Sequence, residues 1–182
     1  MRLIQRWGLM YNIHPENIQE HSLQVGMIAH ALAVVKNRKF GGTVDPSRTV
    51  VLAMYHDASE VITGDLPTPI KYFSPEIKKA YKEIEELAHT RLHGFLPEEL
   101  KPDFQSIFFP ESADDAHWLL VKAADKIAAY LKCLEELKAG NQEFTQAGKI
   151  IKETIDKMDL PEVNYFMETF TPSMQLTLDE LE

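Results

Sequence analysis

The sequence predicts an all-α fold, a helical bundle forming a single domain over residues 1–182. Three observations carry this. Apolar residues recur at the three- and four-residue spacing of helices, and the stretches that show it are bounded by capping residues and by Gly or Pro stops. No run of strict alternation marks a strand. A length of 182 residues suits one hydrophobic core and is short for two.

The first helix is expected over 17–37. Asn17 and Glu20 have the spacing of a capping box, and Leu23, Met27, Ala31 and Val34 follow at helical intervals. Gly41-Gly42 breaks the pattern. Asp45 then reads as an N-cap, with Pro46 at the first helical position and an apolar helix running through Met54 toward Ile62 and ending at Gly64. The segment Asp65-Leu66-Pro67-Thr68-Pro69 should be a stiff loop, because its prolines remove donors and push their predecessors toward extended geometry. A third helix opens at Ser74-Pro75-Glu76 and runs to about His93. Residues 94–113, with four prolines or glycines, read as a loop holding at most one short helical turn. A long helix follows from Asp115 to Ala139, stopped by Gly140. Helical stretches at 142–158 and 161–170 complete the bundle.

Composition narrows the class. Hydrophobic residues are 45% and charged residues 26% of the chain, ordinary globular usage. No apolar run reaches the ~18 residues of a membrane span, and the N-terminal residues lack the pattern of a secretory signal. With Cys133 as its one cysteine, the chain cannot form an internal disulfide, and a cytoplasmic location is expected. The formal net charge of −9 argues against a nucleic-acid polymer as partner, since that binding relies on Lys and Arg displacing counterions. A small phosphate ester needs only a local cation or arginine and stays open.

Three places hold polar groups that call for a reason. His56-Asp57 falls inside the apolar stretch from Leu52 to Ile62. Asp125 has Val121, Ala128 and Ala129 as helical neighbours, a setting in which a carboxylate must be paired or bound to metal; Lys122, one turn back, is the simple partner. His21 lies in the first turn of its helix among polar residues, where a surface histidine would be ordinary. His30, nine residues on, points about 180° away, so the two histidines cannot serve one site.

Taken in order, Glu20-His21-Ser22, His56-Asp57 and Lys122-x-x-Asp125 resemble the signature of the HD-domain superfamily of metal-dependent phosphohydrolases. Arg6-Trp7, Glu60 and Asp65-Leu66-Pro67-Thr68, with the 37–42 and 130–134 segments, extend the resemblance over nearly the whole chain to the bacterial HD-domain 5′-deoxynucleotidases. Those proteins carry a longer segment ahead of the Arg-Trp pair, so a shortened N-terminal element is expected here.

The resemblance implies that His21, His56, Asp57 and Asp125 hold one divalent cation. Two imidazoles and two carboxylates suit Co²⁺, Mn²⁺, Zn²⁺ or Fe²⁺ without choosing among them, and the resemblance favours Co²⁺ or Mn²⁺. A cation in such a site activates water for hydrolysis. Glu60, four residues after His56 and three after Asp57, projects to the same side of a helix as both, and the resemblance makes it catalytic. It further implies that Arg6 orients the 5′-phosphate, that Trp7 lies against the sugar and disfavours a 2′-hydroxyl, that Asp65, Leu66, Pro67 and Thr68 contact the nucleoside, and that Asp57 and Asp125 also border the substrate. The expected reaction is hydrolysis of deoxyribonucleoside 5′-monophosphates by a homodimeric enzyme. Tyr165, Phe166, Met167 and Phe170 could line the subunit interface or close the core. The alternatives are an HD-domain enzyme acting on another nucleotide and a noncatalytic nucleotide-binding regulator. Val61 after Glu60, and the lack of a Gly-Tyr-Pro motif, speak against guanosine tetraphosphate and cyclic dinucleotide substrates respectively.

Overall fold

Asn17 starts the first helix as its spacing predicts. In the computed structural model, which describes residues 1–71 and 73–180, Asn17 Oδ1 accepts from the backbone N–H groups of Gln19 and Glu20, and the Glu20 carboxylate accepts from Asn17 N–H in return. Donors that a helix start leaves orphaned are thereby satisfied. Helix α1 runs over Ile18–Lys39. Its buried face is Val25, Ile28, Ala29, Leu32 and Ala33, whereas Leu23, Met27 and Val34 of the expected stripe are exposed. The helical period is right and the face is not, because α1 is apolar around much of its circumference.

Helix α2 (Pro46–Tyr55) is capped by Asp45, which accepts from Ser47 N–H at 2.8 Å. It stops at Tyr55 instead of running on to Ile62; residues 56–59 form turns, and a single helical turn, α3 (Glu60–Thr63), follows. The expected stiff loop at 65–69 is shortened by a further turn, α4 (Thr68–Lys71), since Pro69 is tolerated where the N–H would be unpaired anyway. Helix α5 spans Pro75–Gly94. The segment read as a loop contains α6 (Lys101–Phe108), anchored where Arg48 Nη2 donates to Ser106 Oγ at 2.8 Å and pairs with Asp114 at 2.5 Å. Helix α7 (Asp115–Lys138) ends before Gly140, whose φ of 92° lies in the left-handed region. Helices α8 (Thr145–Asp156) and α9 (Pro161–Thr169) close the bundle.

Helix α7 is central: it packs on α1, α2 and α8, while α1 also carries α2 and α9. Leu32, Leu52, Leu120, Ile127, Ile155 and Phe166 meet between them and are 2% exposed or less. Phe166 and Met167 thus close the core rather than line an outer face. Two small residues let helices approach closely: a Cβ added at Gly26 would come within 3.3 Å of Met54, and one at Gly148 within 3.3 Å of Cys133. Burial pushes the Cys133 thiol up to about 12, so it stays unreactive. No helix among the described residues is long and apolar enough to cross a membrane.

Ahead of α1, residues 1–17 form turns and one isolated antiparallel bridge, Gln5 to Asn17. A buried polar cluster on α7 holds this segment. The Glu136 carboxylate, fully buried, accepts from Ile13 N–H and His14 N–H at 2.9 Å each, from Asn141 Nδ2 at 2.7 Å and from Lys132 Nζ at 2.5 Å. Asn141 and Lys132 also donate to the carbonyls of Tyr11 and His14. Burial alone would raise this carboxyl, but Lys132, Asn141 and the two backbone donors outweigh it and hold Glu136 at about 2.

A depressed folded-state pKa stabilises the protein above the ordinary carboxyl range, and that contribution is lost as pH falls from about 4.5 toward about 2. At neutral pH it is on the order of 3 kcal/mol. Urea unfolding of wild type and Glu136→Gln should therefore show the variant destabilised by about that amount at neutral pH, with the gap narrowing near about pH 3. A gap that does not change with pH would contradict the role given to the Glu136 charge.

Candidate metal and phosphate site

The break after Tyr55 builds the centre of the site. When α2 ends there, the Ala53 carbonyl is left without its usual partner four residues on, and His56 Nδ1 takes it at 2.7 Å. A carbonyl only accepts, so Nδ1 carries the hydrogen and Nε2 faces inward. There it lies 3.1 Å from Asp57 Oδ2, buried and without a hydrogen-bond partner. His21, fully buried in the first turn of α1, places Nε2 at 3.1 Å from Asp125 Oδ1 and 3.7 Å from Asp57 Oδ2. The two imidazole rings stand 5.4 Å apart. His30 is exposed.

Asp125 comes from the middle of α7. Its expected partner Lys122 is exposed, and the lysine that pairs with it is Lys126, at 2.9 Å. Burial opposes ionisation of Asp125, yet His21 and Lys126 hold its carboxyl well below the usual range. Asp57 is also lowered, burial again being outweighed, here chiefly by His56. His56 is raised in turn, the carboxylates of Asp57 and Asp125 overcoming its burial.

These residues fit a cation. Ligand atoms of His21, His56 and Asp57 lie within 4.8 Å of one another, and Asp125 reaches the same His21 nitrogen. Atoms bound at about 2.0–2.2 Å to one small cation stand roughly 3 Å apart, as the two 3.1 Å pairs do. The Nε2 of His56 has no hydrogen-bond partner to lose.

Around this centre the structure gathers most of the other expected residues. The Arg6 guanidinium, with its side chain 12% exposed, lies 3.5 Å from Asp57 Oδ2. Burial works against its charge, but Asp125, Glu16, Asp57 and Asp65 together raise its pKa. Glu60, on α3, is buried with Oε2 unpaired. The helical register proposed for Glu60 does not hold, since the chain turns at 56–59, but turn hydrogen bonds such as Glu60 N–H to Asp57 O at 3.0 Å keep it beside the pair. Burial, then the charges of Asp57 and Asp65, push its carboxyl up to about 9. Asp65 is raised by burial and faces Arg6. Leu66 and Pro67 are half-buried and Thr68 exposed at the start of α4, outside the cluster of ion pairs.

Trp7 sits beside Arg6 with a φ of 59°, a conformation side chains rarely adopt. Its ring tilts against Phe144 with centroids 5.2 Å apart. Glu16 was not anticipated from the sequence. Its Oε2 accepts from Arg6 Nε and Trp7 Nε1, both at 3.2 Å. Burial would raise its carboxyl, but His21, Arg6 and Trp7 lower it. No spacing rule marks Glu16; lying just before the Asn17 cap, it reads as part of a solvated helix start.

The family model described as 5′-deoxynucleotidase YfbR-like matches residues 1–174. A 5′-deoxynucleotidase of Vibrio cholerae is 59% identical over 181 residues, spanning 100% of this chain and 93% of that protein. Among solved structures, an HD-domain phosphohydrolase of Listeria innocua superposes with a TM-score of 0.80 at 24% identity, covering 94% of this chain and 82% of that one. The cyanophage S-2L HD phosphohydrolase DatZ, solved with dA and one catalytic Zn²⁺, gives 0.64 at 23% identity, covering 96% and 92%. The all-helical architecture is thus the HD-domain fold, and the chain belongs to the YfbR-like family of 5′-deoxynucleotidases.

Proposed function

We propose that this chain hydrolyses deoxyribonucleoside 5′-monophosphates to deoxyribonucleosides and inorganic phosphate, and that His21, His56, Asp57 and Asp125 hold the one divalent cation it uses. The observation that carries the reading is the meeting of those four side chains with Arg6 and Glu60, three of them from one turn and the rest from separate parts of the chain, in a member of a family named for this activity. The dA and Zn²⁺ held by the neighbour of like fold support the same ligand classes. Co²⁺ or Mn²⁺ is the favoured ion, with Zn²⁺ and Fe²⁺ compatible with the donor set.

When bound, the cation lowers the pKa of a coordinated water and polarises a phosphoryl oxygen. Arg6, held at one edge by Glu16 and Asp57, turns its remaining N–H groups to the 5′-phosphate and orients it. As water attacks, the new phosphorus–oxygen bond forms and the bond to the 5′ oxygen breaks. Glu60, buried next to Asp57, is placed to carry a proton from the attacking water to the departing 5′ oxygen. Asp57 and Asp125 border the phosphate as well as the cation. Trp7 packs against the sugar, where a 2′-hydroxyl would collide with its ring. Asp65 and the Leu66-Pro67-Thr68 connection contact the nucleoside. The same reading makes residues 1–182 one domain of a cytoplasmic homodimer.

Phosphate release should be confined to 5′-deoxynucleoside monophosphates, require added Co²⁺ or Mn²⁺, and vanish with chelator or in Asp57→Ala. Equal release from 3′-deoxynucleotides would sink the substrate assignment, and none from any nucleotide by folded, metal-loaded protein would favour the binding regulator. Glu60→Gln should bind the cation normally while kcat falls by about 10²–10⁴; full turnover would remove Glu60 from the chemistry. In Trp7→Ala the ratio of kcat/KM for deoxy over ribo substrates should drop, and an unchanged ratio would free Trp7 of the selectivity role.

A further inference from the structure

Glu16 presents one carboxylate to three groups that the proposed reaction uses separately. Its side chain is 13% exposed. Oε2 receives the Nε–H of Arg6 and the Nε1–H of Trp7, and Oε1 lies 3.6 Å from Nδ1 of His21. That nitrogen is buried with no hydrogen-bond partner, and Glu16 is the acid facing it. Its other nitrogen is the one turned toward Asp125 and Asp57.

The backbone fixes this arrangement. Arg6 N–H donates to the Glu16 carbonyl at 2.9 Å and Ile18 N–H to the Ile4 carbonyl at 3.0 Å, so residues 4–6 and 16–18 run side by side. Trp7 then turns through its positive φ, its carbonyl receiving Met10 N–H at 2.9 Å and Asn12 Nδ2 at 3.3 Å. A strained backbone of this kind persists where its surroundings hold it, and it gathers at functional sites. Here it brings the indole N–H back to the carboxylate that also takes Arg6.

We infer that Glu16 is a positioning residue coupling the cation site to substrate selection: one oxygen fixes the orientation of His21 through Nδ1, and the other fixes Arg6 and Trp7. A carboxylate behind a ligating histidine sets which ring nitrogen faces the metal and holds the ring in place. A simple ion pair for Arg6 would need neither the indole nor the imidazole. The inference rests on the metal and substrate roles proposed above.

The test is Glu16→Gln, which keeps the size and loses the charge and one acceptor. Co²⁺ titration of the metal-free protein, followed by absorption, should show affinity about 10–100-fold weaker than wild type, and the deoxy-over-ribo ratio of kcat/KM should fall with it. A merely structural residue would lower the melting temperature and leave both quantities alone in the folded protein. If either one stays at its wild-type value, the coupling is overturned. Should Glu16→Gln fail to fold, Glu16→Asp, which keeps the charge but withdraws it by one methylene, is judged by the same two readings. Wild-type protein that releases no phosphate from deoxynucleotides would refute the substrate reading, and the Co²⁺ isotherms would then decide by themselves whether Glu16 supports His21.

Discussion

Five carboxyl groups cluster together, Glu16, Asp57, Glu60, Asp65 and Asp125, with Arg6, Lys126 and Lys71 among the permanent cations that act on them. Like charges so close cannot all be ionised in a partly buried setting unless positive charge is supplied. The cluster settles this by division. Asp57, Asp125 and Glu16 lie against imidazoles, Arg6 or Lys126 and are held low, while Glu60 and Asp65 are driven up by burial and by their acidic neighbours. Environments that push neighbouring carboxyl groups apart sort them into roles. Within the low group, Asp57 and Asp125 are the carboxylates proposed to hold the cation, and the raised group includes Glu60, the proposed proton carrier.

The fold creates that division by bringing together parts of the chain that are far apart in sequence. Packing of α7 on α1 sets Asp125 against His21, which stands 104 residues away. The end of α2 contributes more than its position. Had the helix continued, the Ala53 carbonyl would have bonded within it; ending at Tyr55 leaves that carbonyl to take His56 Nδ1–H and aims Nε2 inward. The same turn keeps Asp57 and Glu60 on one side through a bond across three residues. A local irregularity at the end of an apolar helix is therefore what turns His56, Asp57 and Glu60, the proposed ligands and proton carrier, toward one space.

Much of this was legible in the residues. The Asn17–Glu20 capping box, the Asp45-Pro46 start and the span of α7 follow from rules that act within one turn, and tertiary packing left them intact. The oddity of Asp125 on a small apolar face was likewise readable, and it lies half-buried beside His21. What could not be read depended on packing. The choice of face on α1 was ambiguous because both candidate stripes are apolar, and Leu23 and Met27 ended outside. The break at 56–59 has no Gly or Pro to announce it. Helix α6 did leave a trace, Pro102 in its first turn with Phe104 and Phe108 four apart, which the surrounding breakers obscured. Glu16 had none, because its meaning comes from Arg6 and Trp7 arriving beside it.

The residues proposed to face the substrate differ in kind from those proposed to hold the cation. His21, His56, Asp57 and Asp125 stand on or next to helices whose other faces form the core. Arg6 and Trp7 stand on a segment without a helix, joined to the bundle mainly by polar contacts: Glu16 at its near end, and Glu136 with Lys132 and Asn141 at 11–14. The Trp7–Phe144 ring pair adds an apolar contact. Regions with few apolar contacts open before the core does, so the residues assigned to selectivity are held less firmly than those assigned to the metal. Two glutamates thus bear on the segment's placement, the fully buried Glu136 holding it to α7 and the half-buried Glu16 lying 3.6 Å from His21 Nδ1. The sugar discrimination proposed for Trp7 needs a rigid ring at a fixed distance, and the indole is held by its hydrogen bond to the Glu16 carboxylate rather than by depth in the core.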